Sequence, residues 1–150
     1  MGGGGDAREE AAGGVVARWA QNTPLFLLIF DGHGNWGFPK GRLLRDETML
    51  EAARREICEE TGVCQLRLRE DLGEERWTVA RRGTPREKSC RFYLFETDDV
   101  ALTPQAAEGI SECRWAVADE ADQLLTFDQQ RDVLRRASAS LANQSGTTAG

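Results

Sequence analysis

The arrangement of apolar and polar positions divides this chain into short strands and a few helices. Val15–Trp19 and Leu25–Phe30 are compact runs rich in Val, Leu, Ile and Phe, a pattern expected of strands buried in a sheet. The cluster Asp31-Gly32-His33-Gly34-Asn35 after them predicts a turn. Residues 47–61 change period: Leu50, Ala53 and Ile57 recur at spacings of three and four, which predicts an amphipathic helix. Thr48 and Glu51 spell a capping box, and Gly62 supplies a stop. Val63–Leu68 alternates loosely and reads as a further strand. Trp77–Arg81 and Arg91–Phe95 read as two more, joined by a polar loop, Arg82–Ser89, that contains Gly83 and Pro85. Glu112–Val117 is a short strand. Asp119–Leu125 and Asp128–Ala137 read as helices. Strands interleaved with two or three helices indicate an α/β layered domain.

The ends differ in composition. Residues 1–10, MGGGGDAREE, predict a flexible arm, and residues 138–150, small and polar, predict a disordered tail. One domain over residues 11–137 remains, with no internal repeat. A hydrophobic fraction of 40% suffices for one core.

Within the helix, Glu56, Glu59 and Glu60 stand at i, i+3 and i+4, so all three share one face, off the stripe expected to be buried. Two carboxylates about 5 Å apart repel by roughly 3 kcal/mol at an effective dielectric near 20. Three together call for protonation or a cation, and all-oxygen ligation suits Mg²⁺ or Mn²⁺ better than zinc. Arg55 lies four residues before Glu59 and four after Glu51, placed to brace either. The lead-in Trp36-Gly37-Phe38-Pro39-Lys40-Gly41 adds further chemistry. Gly41 lets the backbone pass close to a ligand and offers its carbonyl as a fourth oxygen. Lys40 is a point charge suited to phosphate. Trp36 and Phe38 offer rings for stacking on a base.

Charge and cysteines narrow the classes. A formal charge of −6 and a pI near 4.9, without a basic stripe, argue against broad nucleic-acid binding. No apolar run approaches a membrane span, and the N-terminus lacks a signal-peptide core, so a cytoplasmic location is the default expectation. Cys58, Cys64, Cys90 and Cys113 form no CxxC pair and no zinc spacing, and are expected to be free, buried thiols.

The complete spacing is Gly41, five residues, Glu47, seven residues, Arg55-Glu56-Ile57, one residue, Glu59-Glu60, one residue, Gly62-Val63. It resembles the signature of the Nudix hydrolases at every defining position. Ala11–Val16, Lys88–Glu96, Glu108–Trp115 and Leu124–Leu134 resemble flanking segments of that family, with the closest likeness to the bacterial branch that cleaves diadenosine polyphosphates. The resemblance implies an α/β/α sandwich with a mixed central sheet, the signature forming a loop–helix–loop. It implies a pyrophosphohydrolase that uses Mg²⁺, with Mn²⁺ as substitute. The metal would be held by Glu56, Glu59, Glu60 and the Gly41 carbonyl. Arg55 would orient a glutamate, Glu47 would support the loop, and Glu59 or Glu108 would act as base.

Relatives often carry an extra glutamate near positions 108–112, so Glu108 and Glu112 are both candidates, Glu108 the better matched. Lys40, Trp36, Phe38, Arg91 and Tyr93 are the candidates for binding a small-molecule nucleotide. His33, in a glycine turn, is expected to be a solvated loop residue. Arg81, Arg82 and Arg86 are either phosphate guides or a hairpin tip. Dimers are frequent in the family, which leaves a homodimer open. Other substrates of the family remain alternatives: nucleoside triphosphates, ADP-ribose, diphosphoinositol polyphosphates and capped RNA, or a non-catalytic nucleotide sensor. The stretch Arg42-Leu43-Leu44-Arg45-Asp46 departs from the family, where His at 42, Pro at 45 and Gly at 46 are common. It touches no expected ligand.

Overall fold

The computed structural model describes residues 9–148, apart from the side chains of Arg81 and residues 144–148. The elements run β1 (Glu9–Ala20), β2 (Thr23–Phe30), β3 (Trp36–Gly37), β4 (Lys40–Arg42), α1 (Met49–Thr61), β5 (Arg67–Arg81), β6 (Thr84–Glu96), a 3₁₀ turn at Ala106–Glu108, β7 (Glu112–Val117), α2 (Ala118–Leu124) and α3 (Asp128–Thr148). One mixed sheet orders them β3-β2-β1-β6-β5, with β4 also on β1 and β7 also on β2. β1 and β6 are parallel, Glu9 opposite Lys88 through Ala17 opposite Glu96. The other pairings are antiparallel.

Side-chain alternation distributes the central strands between two cores. Val15 and Ala17 of β1, Phe26 and Leu28 of β2, and Phe92 and Leu94 of β6 face Val133, Leu134, Ala137 and Leu141 of α3. Ala12 and Val16, Leu27, and Phe95 face Ala53 and Ile57 of α1. The result is the expected α/β/α sandwich, with α1 on one side and α2 and α3 on the other.

The helix expected over 47–61 is α1. Thr48 and Glu51 form both halves of the capping box, and Gly62 ends the helix at φ 81°, a left-handed conformation that suits glycine. Its polar face is less exposed than the sequence suggests. Glu56 and Glu60 are 8% and 6% exposed, because β4 passes directly over them. Asp46 also stands at positive φ, 68°, a position where relatives favour glycine and where aspartate is among the better tolerated side chains.

Five expectations change. The polar segment Arg82–Ser89 is mostly strand. β5 and β6 pair from Arg67–Glu96 to Arg81–Thr84, which leaves only Arg82 and Gly83 as the turn. The hairpin extends past the cores, so polarity there reflects solvent on both faces and not a loop. Residues 63–66 are irregular, and the strand begins at Arg67. α3 runs to Thr148 where a disordered tail was expected. Ala137 and Leu141, both buried, continue the stripe begun by Val133 and Leu134 at helical spacing. Most of the expected N-terminal arm lies outside the described residues, but Glu9 and Glu10 belong to β1, held by pairing with Lys88 and Ser89.

The fifth change concerns sulfur. Cys58 and Cys64 are joined in a disulfide with Cα atoms 4.6 Å apart. The left-handed Gly62 between them reverses the chain and returns position 64 to the end of α1. Cys90 and Cys113 are free, and burial pushes their thiols up, to about 12 and about 11. No helix among the described residues is long and apolar enough to cross a membrane.

Candidate functional site

The site starts from Arg55. Its Nε donates to Glu47 Oε2 at 2.7 Å, and its Nη2 donates to Glu47 Oε1 and to the Arg42 carbonyl, both at 3.0 Å. Its Nη1 donates to Glu56 Oε2 at 2.9 Å and to Glu59 Oε1 at 3.0 Å. Glu51, the other candidate partner, is used instead by the helix cap. Glu47 supports the loop as expected, since its Oε1 also accepts the Leu44 N–H at 2.8 Å. The Arg55 guanidinium holds the Glu47 carboxyl below the ordinary carboxylate range. Glu47 first, and then Glu56, raise Arg55 still further above its usual value.

Glu56, Glu59 and Glu108 each offer a carboxylate oxygen, and these atoms lie within 4.8 Å of one another. Glu108 arrives from the 3₁₀ turn. That turn is tied to the C-terminal end of α1 by the Gln105 N–H on the Glu60 carbonyl at 3.3 Å and the Thr103 N–H on the Thr61 carbonyl at 2.8 Å. Glu112, the alternative, pairs with Arg114 at 3.2 Å and is not part of the cluster. His33 is exposed, and its backbone N–H bonds Asp31 Oδ1 in the turn, in line with a solvated loop residue.

Glu60 turns inward. Burial is the main cause that pushes its carboxyl up, to about 9, and the adjacent Glu56 adds to the effect, while Lys40 pulls the other way. Its Oε1 is buried with no hydrogen-bond partner. Gly41 lies hard against Glu56: a Cβ there would stand 2.1 Å from Glu56 Cδ. The cluster of Glu56, Glu59 and Glu108, a buried Glu60 oxygen without a donor beside Glu56, and a glycine that lets the backbone close over Glu56 fit a hard divalent cation. The chemistry of this donor set is oxygen throughout.

Lys40 stands where three clefts meet. One, of about 250 Å³, is lined by Lys40, Trp77, Lys88, Phe92, Phe127 and Gln130 among others. A second, of about 200 Å³, shares Lys40, Phe127 and Gln130 and reaches Glu60 and Glu108. Lys40 Nζ is 5.9 Å from the Trp77 ring centroid, and Phe127 is 44% exposed at the rim. Trp77 and Phe127 were not singled out in the sequence. A lone tryptophan in a polar strand, and a phenylalanine just ahead of a helix start at Asp128, were the available signals.

The stacking candidates from the lead-in fare differently. Phe38 is 1% exposed and packs edge-on against Phe92, ring centroids 6.1 Å apart. Its ring belongs to the core and is not available to a ligand. Its N–H is held by Gln130 Oε1 at 2.9 Å. Trp36 is half-buried, tilted against Phe30 and under Arg114, and lines the second cleft. Arg91 and Tyr93 occupy the opposite face of β6 from Phe92, because alternate residues on a strand point to opposite sides. Arg91 pairs with Asp71 at 2.9 Å, and Tyr93 packs toward the α1 core. Neither lines the clefts around Lys40. At the hairpin, Arg86 approaches Glu9 at 3.6 Å.

Comparison with known proteins agrees with this geometry. Residues 8–137 match the NUDIX domain. A rat asymmetrical bis(5'-nucleosyl)-tetraphosphatase is 32% identical over 125 residues, covering 81% of this chain and 83% of its own. The phosphatase NudJ of Escherichia coli K12 is 34% identical over 99 residues, 63% of this chain and 61% of its own. A C. elegans Ap4A hydrolase, solved as a binary complex, superposes with a TM-score of 0.77 at 26% identity, covering 90% of this chain and 98% of that one. The NUDIX domain of Shewanella oneidensis NrtR, complexed with ADP ribose, shares the fold, with a TM-score of 0.76 at 17% identity. With residues 8–137 matched to the NUDIX domain and Glu56 and Glu59 of its signature clustered with Glu108, this chain belongs to the Nudix family and is a pyrophosphohydrolase of that family.

Proposed function

We propose that this protein hydrolyses dinucleoside polyphosphates, diadenosine tetraphosphate foremost, with Mg²⁺ as the metal and Mn²⁺ as its substitute. The observation that carries the reading is the convergence of Glu56, Glu59 and Glu108 beside the buried Glu60, next to a lysine-bearing cleft. The relatives named for cleavage of such substrates support it.

Glu56, Glu59, Glu60 and the Gly41 carbonyl would hold the metal. When bound, it would neutralise phosphate oxygens, lower the pKa of water and align an in-line attack. Arg55 fixes the rotamers of Glu56 and Glu59 before substrate arrives, so those carboxylates need little reorganisation. Glu59 is engaged by Arg55 Nη1 at 3.0 Å. Among the described residues no cation pairs with Glu108. Glu108 is therefore the better proton acceptor for the attacking water. Lys40 presents an ammonium to the polyphosphate. The cleft between Trp77 and Phe127 takes one nucleobase, which those rings and the Phe92 edge would flank.

Incubation of the purified chain with diadenosine tetraphosphate and Mg²⁺, followed by ion-exchange chromatography, tests the reading. ATP and AMP are the expected products. No product from the tetra-, penta- or hexaphosphate, with either metal, would overturn it.

A further inference from the structure

Beyond Lys40, on the side away from Phe127, lies a third cleft of about 190 Å³, lined by Lys40, Arg42, Trp77 and Lys88 together with Glu9 and Ser89. Glu9 opens β1 directly opposite Lys88 on the parallel strand β6. Three cations converge on its carboxylate: Lys88 at 3.4 Å, Arg86 at 3.6 Å and Arg42 in direct contact. They hold the Glu9 carboxyl below its ordinary range in spite of some burial. Three cations on one carboxylate leave two positive charges in excess, in a chain whose formal charge is −6. Surface ion pairs of this kind contribute little to stability, Arg42 being 72% exposed at the side chain. The concentration of charge therefore has no evident structural purpose.

Its position does suggest one. The backbone of Arg42 is fixed to the catalytic helix, since its carbonyl accepts from Arg55 Nη2 at 3.0 Å. The preceding residue is Gly41, which abuts Glu56. The excess charge thus begins one residue from the carboxylate cluster. Lys40, Trp77 and Lys88 form the wall shared with the cleft assigned to the base. A polyphosphate that leaves that base and crosses Lys40 runs next into this basic corner.

We propose that Arg42, Arg86 and Lys88, positioned by Glu9, form a subsite for the phosphate groups farther from the bound base, and so select for long polyphosphate chains. The proposal rests on the dinucleoside polyphosphate reading. It adds the residues that set chain-length preference. Arg42 occupies a position where the family commonly has histidine, so this preference belongs to the present chain's own sequence. Glu9 keeps the cations gathered in the absence of substrate and competes with phosphate for them.

That competition gives substitutions of opposite sign. Wild type, R42Q, R86Q and E9Q are titrated with inorganic tripolyphosphate in EDTA by calorimetry. KM for diadenosine tetraphosphate is then measured with Mg²⁺. R42Q and R86Q should each weaken tripolyphosphate binding by roughly fivefold to tenfold, and E9Q should tighten it. KM should move in the same directions. Arg86 sits on the exposed hairpin, so its variant carries little risk to folding. If E9Q weakens binding as the arginine variants do, or if none of the three changes it, the subsite is refuted. Opposed shifts in tripolyphosphate affinity without any dinucleoside hydrolysis would uphold the subsite and refute the reaction reading.

Discussion

Glu60→Gln should make the metal-free protein more stable at neutral pH, although it removes a residue of the signature. Glu60 is 6% exposed, its carboxyl is pushed up to about 9, chiefly by burial, and it faces Glu56. In the unfolded chain the group returns to its ordinary value of 4.5. Between pH 4.5 and about 9 the fold therefore binds a proton that the unfolded chain releases. Stability is full below 4.5 and declines as pH rises through that window, by about 1.4 kcal/mol per pH step. By pH 7 the wild type has given up roughly 3 kcal/mol from this one group. Glutamine has the shape of the protonated carboxyl and does not titrate, so the variant escapes the decline. Urea unfolding in EDTA, followed by tryptophan fluorescence at pH 4.5, 6, 7 and 8, measures it. The expected result is equal stability of the two proteins at pH 4.5 and a variant ahead by about 2–3 kcal/mol at pH 7, with hydrolysis reduced by orders of magnitude. Parallel pH profiles, or a variant less stable at pH 7, would refute the argument that Glu60 is a buried carboxyl without compensation.

Other perturbations separate the fold from the chemistry. Arg55→Lys should cut kcat at least about a hundredfold with the melting temperature nearly kept, because a single ammonium cannot span Glu47, Glu56 and Glu59 together; an unchanged kcat in steady-state assays would contradict its positioning part. Phe127→Ala should raise KM for diadenosine tetraphosphate by about tenfold while kcat holds, the scale of one lost base stack; the KM-against-kcat split checks it. Ile57→Ala should destabilise by about 2–5 kcal/mol in urea unfolding, since Ile57 is fully buried between α1 and the sheet. Reduction of the Cys58–Cys64 bridge should lower stability by about 2 kcal/mol, the loop-closure value for so short a loop, as read by unfolding with and without dithiothreitol.

Local chemistry was what the sequence displayed best. The boundaries of α1 follow from Thr48, Glu51 and Gly62, each acting within a few residues of itself, and the structure keeps all three. Glu108 could be preferred over Glu112 because Glu108-Gly109 resembles the family's placement of the extra glutamate, but its place beside Glu56 depends on a loop tied to the far end of α1. Long-range facts were less legible. Whether Arg91 or Phe92 faces the cleft depends on which side of β6 receives α3, a matter of tertiary packing that alternation alone leaves undecided. Phe38 looked like a stacking ring because it sits in a functional segment. Its burial follows from Gln130 and Phe92, 92 residues and a sheet pairing away. Ser138–Thr148 looked like a tail because small residues carry a weak helix signal. Leu141, the one large apolar residue there, was the clue to a continuing buried stripe.

Arg55 joins three carboxylates and a backbone carbonyl through one rigid planar group. Anchored at Glu47 behind and at Gly41 in front, the five positions 42–46 form a cassette whose ends are clamped independently of what fills it. Evolution can therefore rewrite the cassette without unseating the glutamates. RLLRD in place of the family's usual run is such a rewriting: aspartate occupies the left-handed position at 46, and a cation stands at 42. Among relatives, differences in what this loop recognises should accumulate between the two clamps, while the clamps themselves stay fixed.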